Sequence, residues 1–176
     1  MKPETPQIPW SESIYEVFRK VDIRQVAYVP DAGHTRLIQR CHADTGMNTV
    51  VLTSEQEGVA MLAGAWLGGE RGALLMQSSG VGNCINLLGT IIECRFPLLT
   101  LVTMRGEWGE FNPWQLPMGQ GTPRVLEQAG VVVQHVDRAE DVAETVFAAA
   151  QMTFSACRPV AVLIGQRVVG FKDWSK

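Results

Sequence analysis

No apolar run in the 176 residues approaches the ~18 needed to span a bilayer, and the opening Met1-Lys-Pro-Glu-Thr-Pro-Gln-Ile-Pro9 lacks the apolar core of a signal peptide. The expectation is a chain that is neither exported nor embedded in a membrane. Charge of one sign is equally scarce. Fifteen Lys+Arg stand against eighteen Asp+Glu, a net charge of −3, with no stretch concentrating either sign, which argues against a polyanion-binding face and against nucleic acid as a partner. The four cysteines, Cys41, Cys84, Cys94 and Cys157, form no C-x-x-C pair, so neither a zinc knuckle nor a redox motif is present. Their apolar neighbours predict buried, reduced thiols and a cytoplasmic setting. His42 and His135 have no Cys, Asp or Glu at ligand spacing, and no protein-bound metal is expected. Missing too are a G-x-S-x-G elbow, a Cys/His couple and a Gly-Lys-Ser/Thr phosphate loop, which argues against covalent hydrolases and P-loop nucleotide enzymes.

What is present is the composition of one soluble domain, 46% apolar and 19% charged. Three prolines in the first nine residues predict an extended arm over 1–10, followed by a single domain over 11–170 and a tail over 171–176. Ser11 is a plausible N-cap for an amphipathic helix to Val21 carrying Ile14, Tyr15, Val17 and Phe18. Short Val/Leu/Ile runs then alternate with helical patterns, the signature of βα units. Strands are predicted at Val26–Val29, Thr49–Thr53, Ala73–Gln77, Leu98–Thr103, Val131–Val136 and Pro159–Ile164, all apolar enough to be central. Helices are predicted at Thr35–Ala43, Gln56–Leu67, Gly82–Cys94, Pro123–Ala129 and Ala139–Ser155. The fold class is α/β: a three-layer sandwich with a six-stranded, mainly parallel sheet covered by helices on both faces. Helix Gly82–Cys94, apolar through Ile85, Leu88, Ile91 and Ile92, is either a core helix or one buried against another subunit.

In such sheets ligands gather outside the carboxyl ends of the strands, where four loops converge. They are Val29-Pro-Asp-Ala-Gly-His34, Thr53-Ser-Glu-Gln-Glu-Gly58, Gln77-Ser-Ser-Gly-Val-Gly-Asn83 and the segment 105–122, which exceeds the ~2–6 residues usual for a βα connection and carries Trp108, Phe111 and Trp114. Each candidate has a structural alternative. Glu55 and Glu57 sit where carboxylates simply cap a helix N-terminus. The glycine turn at Gln77–Asn83 is either an anion cradle or a tight bend, and it is not G-x-G-x-x-G, because Ile85 takes the third glycine position. His34 is an acid/base group, a ligand donor or a plain loop residue. Arg105 either grips an anionic substrate or pairs with Glu107 or Glu110.

In order, these loops resemble the pyrimidine-binding domain of thiamine-diphosphate-dependent decarboxylases. The likeness runs through Val29-Pro30-Asp31, Glu55-Gln-Glu-Gly-Val-Ala-Met-Leu-Ala-Gly64 and Leu75-Met-Gln-Ser-Ser-Gly-Val-Gly-Asn-Cys-Ile-Asn86, ungapped from Glu55 to Asn86. Met76-Gln77, Arg105-Gly106 and Met118-Gly-Gln-Gly-Thr-Pro-Arg-Val-Leu126 most resemble the sulfopyruvate decarboxylase α-subunit family, with phosphonopyruvate decarboxylases as near relatives. The resemblance implies thiamine diphosphate as cofactor and Glu55 as the catalytic carboxyl that binds N1′ of its aminopyrimidine, with Glu57 the rival. It implies further cofactor contacts from Pro30, Ser79, Gly80 and Asn83, and substrate contacts from Asp31, His34, Gln77 and Arg105. A carboxyl sharing a proton with that ring nitrogen shifts the amino group toward a form able to take the C2 proton, and the cofactor then accepts the electrons released as carbon dioxide leaves a 2-oxo acid.

Members of that superfamily hold Mg²⁺ and the diphosphate through Gly-Asp-Gly and Asn-Asn, and this sequence has neither. The resemblance therefore implies half an enzyme, completed by a separate diphosphate-binding β subunit that carries the Mg²⁺ site in a hetero-oligomer. The expected activity is decarboxylation of 3-sulfopyruvate to sulfoacetaldehyde. A phosphonopyruvate or other 2-oxo acid decarboxylase subunit is the alternative, and a non-catalytic module keeping the fold is the rival from another class. The aromatic segment leaves room for a bulkier 2-oxo acid.

Overall fold

The computed structural model describes residues 9–171. The expected arm thus lies outside the described residues except for Pro9 and Trp10, and the expected tail except for Phe171. Helix α1 (Trp10–Lys20) leads into strand β1 (Ile23–Tyr28), α2 (Thr35–Ala43), β2 (Asn48–Val51), α3 (Glu55–Leu67) and β3 (Arg71–Gln77). The chain continues through α4 (Ser78–Glu93), β4 (Leu98–Thr103), α5 (Leu116–Gln128), β5 (Val132–Val136), α6 (Val142–Ala156), β6 (Pro159–Ile164) and the short α7 (Gln166–Val169). Ser11 is not the cap of α1; Pro9 holds that position, and Ser11 is buried in the first turn. A proline can stand there because the first amides of a helix have no intrahelical acceptor. No helix among the described residues is long and apolar enough to cross a membrane.

The six strands form one sheet in the order β2-β1-β3-β4-β6-β5, every neighbouring pair parallel. Side chains alternate between its faces. Leu75, Leu99, Leu101, Val160 and Val162 pack under α1, α2 and α6 through Phe18, Leu37 and Val146. On the other face Leu74, Met76, Val102 and Leu163 pack under α3, α4 and α5 through Val59, Leu88 and Leu126. β4 and β6 are buried along their whole length. β2 and β5 correct the expectation that every strand is central: they are the edges, only partly covered, because a βα unit must end somewhere on each side and their valines suffice for one covered flank.

Two helices begin earlier than their hydrophobic pattern predicts. α4 starts at Ser78, so Ser78-Ser-Gly-Val-Gly82 is helix and not a loop, and α5 starts at Leu116 with Pro117 in its first turn and Pro123 inside it. α4 is mainly a core helix, with Leu88 and Ile91 buried, although Ile85 is exposed. Only Cys41 and Cys84 are buried; Cys94 and Cys157 are exposed, because they cap the carboxyl ends of α4 and α6 where those helices leave the sheet.

The early start of α5 depends on Gly119. A Cβ there would stand 1.9 Å from the carbonyl oxygen of Arg105 and 2.8 Å from Cα of Gly106. Both obstacles are backbone and cannot rotate aside. Gly119→Ala is therefore expected to cost about 1–3 kcal/mol, read as a lower urea midpoint, and an unchanged midpoint would show that the helix and loop are not in contact.

Candidate active site

The strand order reverses direction between β1 and β3, and the crevice outside their carboxyl ends is where such folds bind ligands. Glu55 opens α3 on one side of it. Its carboxylate is buried, and Oε2 accepts a 2.8 Å hydrogen bond from Nδ2 of Asn83 in α4. Gly80 lies against the same carboxylate so closely that a Cβ there would meet Oε1 at 2.1 Å. The cradle is therefore made of a missing side chain on one flank and an amide donor on the other. Glu57 is different. It is exposed, and its Oε2 accepts from the backbone N–H of Thr53 at 2.9 Å, which is a capping contact. Cys84, behind Glu55, is no nucleophile: burial foremost, with the Glu55 charge adding to it, pushes its thiol up to about 12.

Across the crevice, Asp31 follows β1 and is held from two sides. Thr103, at the end of β4, donates to Oδ2 at 2.6 Å, and Gln77 donates to Oδ1 at 3.3 Å. Ser79 in turn donates to Oε1 of Gln77 at 2.8 Å. Pro30 is exposed beside them. His34 departs from its expected place: it is wholly buried, with Nε2 3.2 Å from the carbonyl oxygen of Leu101, and burial pushes its pKa down. A ring with no exposed surface cannot grip a substrate directly. Next to Asp31 opens a cleft of about 170 Å³, walled by Gly33, Thr103, Arg105, Phe111, Gln166 and Phe171 among others. Among the described residues no three His, Cys, Asp or Glu side chains converge to hold a metal ion.

No family model matches the sequence. Against curated proteins, 155 residues, 88% of this chain, align at 30% identity with 93% of a sulfopyruvate decarboxylase subunit alpha from Methanococcus maripaludis. The chain belongs to the sulfopyruvate decarboxylase α-subunit family. A phosphonopyruvate decarboxylase from Streptomyces viridochromogenes is 33% identical over 150 residues, but these cover 84% of this chain and only 38% of that longer protein. Among solved structures, benzoylformate decarboxylase from Polynucleobacter necessarius superposes over 92% of this chain and 30% of its own with a TM-score of 0.73 at 16% identity, a likeness of fold.

In this sulfopyruvate decarboxylase α-subunit homologue, Arg105 is not a free cation. Its Nε and Nη2 both donate to Glu110 at 2.6 Å, a fork-on-fork pair. Glu110 also accepts from the amides of Gly106 and Asn112 and from Nε2 of Gln166. Arg105 first, and then the two backbone amides, hold its pKa down at about 2 despite burial. Of the two partners open from sequence, Glu110 takes Arg105, while Glu107 turns to His135 at 3.0 Å. Trp108 meets the Phe171 ring edge-on at 5.0 Å, and Trp114 is exposed. Thr103 and Gln166 are not among the residues that the sequence singles out. Thr103 was accessible as the last residue of a strand ending at the crevice, whereas Gln166 lies 56 or more positions from its partners and carries no motif.

His135 provides a pH handle on this segment. Its pKa is raised, chiefly by the hydrogen bond to Glu107, with Asp137 at 3.2 Å adding to it. A group whose folded pKa is raised contributes stability that is full below its unfolded value of 6.5 and is lost as pH climbs through the folded value. The melting temperature should therefore fall from pH 6 to 8 more steeply in the wild type than in His135→Gln. Equal slopes would mean that the pair contributes nothing in solution.

Proposed function

We propose that this chain is the pyrimidine-binding α subunit of a thiamine-diphosphate-dependent decarboxylase that converts 3-sulfopyruvate to sulfoacetaldehyde and carbon dioxide, together with a separate β subunit holding the diphosphate and Mg²⁺. The observation that carries this reading is the buried Glu55 carboxylate, fixed at Oε2 by Asn83 with Gly80 packed against Oε1, in a chain aligned with nearly the full length of an α subunit. A carboxyl with one oxygen held by an amide donor suits proton exchange with a ring nitrogen.

Thiamine diphosphate, when bound, supplies the sink for the electron pair left on the keto carbon as carbon dioxide departs. Glu55 would be the carboxyl that meets N1′ of the aminopyrimidine and exchanges a proton with it. Asn83 keeps that carboxylate from turning. Asp31, oriented by Thr103 and Gln77, would be the group that hands over the proton by which the product becomes an aldehyde. Pro30 and Ser79 border the cofactor side, and Gln77 and Arg105 face the substrate. The helix surfaces beside Glu55 and along α4 are where the β subunit docks.

The test is a substrate panel with the reconstituted complex: 3-sulfopyruvate, 3-phosphonopyruvate, pyruvate and benzoylformate, followed by carbon dioxide release. The expected order puts 3-sulfopyruvate first in kcat/KM by about tenfold or more, the worth of one charge-assisted contact. A complex that prefers phosphonopyruvate reassigns the substrate, and one that decarboxylates none of the four removes the reading.

A further inference from the structure

We infer that Gln166 is a positioning residue of the substrate cleft: by locking the aromatic segment through Glu110 it aims Arg105 at the substrate. This rests on the proposed function for the identity of the substrate, and on geometry alone for the lock. Gln166 opens α7, just beyond β6, and is buried. Its Oε1 accepts the backbone N–H groups of both Glu107 and Trp108 at 3.0 Å. Its Nε2 donates to Oε2 of Glu110 at 3.1 Å, and its own backbone N–H donates to Oε2 of Glu107 at 3.1 Å. Every polar group of this side chain is thus spent on the segment between β4 and α5.

The amide is chemically the right group for this place. It must accept from two backbone donors and give to a carboxylate, which neither a carboxylate nor an alkyl side chain can do. Glu110, held by Gln166 and two backbone amides, then takes Nε and Nη2 of Arg105. The backbone N–H of Arg105 is anchored separately on the hydroxyl of Ser78 at 3.1 Å, at the start of α4. With the Nε/Nη2 edge of the guanidinium consumed, three N–H groups remain, two on Nη1 and one on Nη2, in a side chain that lines the same cleft as Gln166. Arg105 therefore presents one fixed Nη1/Nη2 edge to an anionic tail, where a mobile arginine would present either edge in any direction. The carboxylate of Asp31 lines the same cleft, so the direction of the Arg105 donors matters to an approaching anion.

Two variants separate the lock from the aim. Gln166→Leu removes all the side-chain bonds. Gln166→Glu keeps an acceptor for Glu107 and Trp108 but sets a second carboxylate against Glu110. Amide hydrogen exchange on the chain should speed up at Glu107 and Trp108 by tenfold or more in Gln166→Leu and by less than threefold in Gln166→Glu. In the complex with the β subunit, both variants should raise KM for 3-sulfopyruvate by tenfold or more with kcat within about threefold, and should leave the KM for pyruvate, which lacks the anionic tail, much less affected. Equal KM changes for the two acids would show a merely structural role and overturn the inference. Wild-type exchange rates in Gln166→Leu would overturn it on their own, whether or not the wild-type complex decarboxylates 3-sulfopyruvate; absence of that turnover counts instead against the proposed function.

Discussion

Glu55→Gln in the reconstituted complex is expected to slow exchange of the thiamine diphosphate C2 proton by about 10²–10⁴-fold, the usual worth of a positioned proton-transfer group. Glutamine has the same shape and its Oε1 still accepts from Asn83, so the chain should fold and assemble. What it lacks is an oxygen able to hold a proton opposite N1′. The buried setting sharpens the contrast, since Glu55 is only 7% exposed and no water channel is needed to explain its contact with Asn83. The measurement is deuterium loss at C2 by quenched-flow NMR, with thermal melting of the variant as the folding control. Exchange within threefold of wild type would remove Glu55 from the mechanism, and Glu57, tied to the Thr53 amide in a cap, offers no ready substitute.

Much of this arrangement was legible in the chain, and the parts that were not share a physical cause. β4, β6 and α2 lie where their apolar periodicity puts them, because those segments bury one complete face or two. The first turn of α4 reads as a bend, since Ser-Ser-Gly-Val-Gly has poor helix propensity. The helix forms there because Gly80 must press on Glu55 and Ser78 must receive the Arg105 amide. The same holds for α5, whose glycines and prolines conceal a helix that packs Gly119 directly on backbone. At the site, the ungapped spacing favours Glu55 with Glu57 as its rival, and Glu55 is the buried one, held by Asn83, while Glu57 is exposed. His34 reads as a loop residue because it follows Gly33, yet the chain turns it inward to the Leu101 carbonyl. Arg105 was recognisable as a cation at a strand end with Glu107 or Glu110 as a possible partner, but not the choice of Glu110, which Gln166 helps fix from the far end of the chain. Long-range polar contacts leave no periodic trace.

Gly80 supports the second large effect, one in which the sign itself is informative. In Gly80→Ala the new methyl would lie 2.1 Å from Oε1, 2.3 Å from Cδ and 2.6 Å from Cγ of Glu55. Glu55 must then swing away and lose Asn83, and C2-proton exchange should fall by about 10²-fold or more. Stability is pulled in two directions. Alanine in a helix is favoured over glycine by up to about 1 kcal/mol, while overpacking costs about 1–3 kcal/mol and a displaced buried carboxylate a further 1–3 kcal/mol. The clash wins, so the single variant should be less stable than the wild type by about 1 kcal/mol or more, read from urea midpoints. In a Glu55→Ala background the obstacle is gone, only the helix preference remains, and the same Gly80→Ala change should be neutral or stabilising. A double-mutant cycle measures the difference as a coupling energy. If Gly80→Ala destabilises equally in both backgrounds, the glycine is serving the helix or its packing elsewhere, and the close approach to Glu55 is not what it is for.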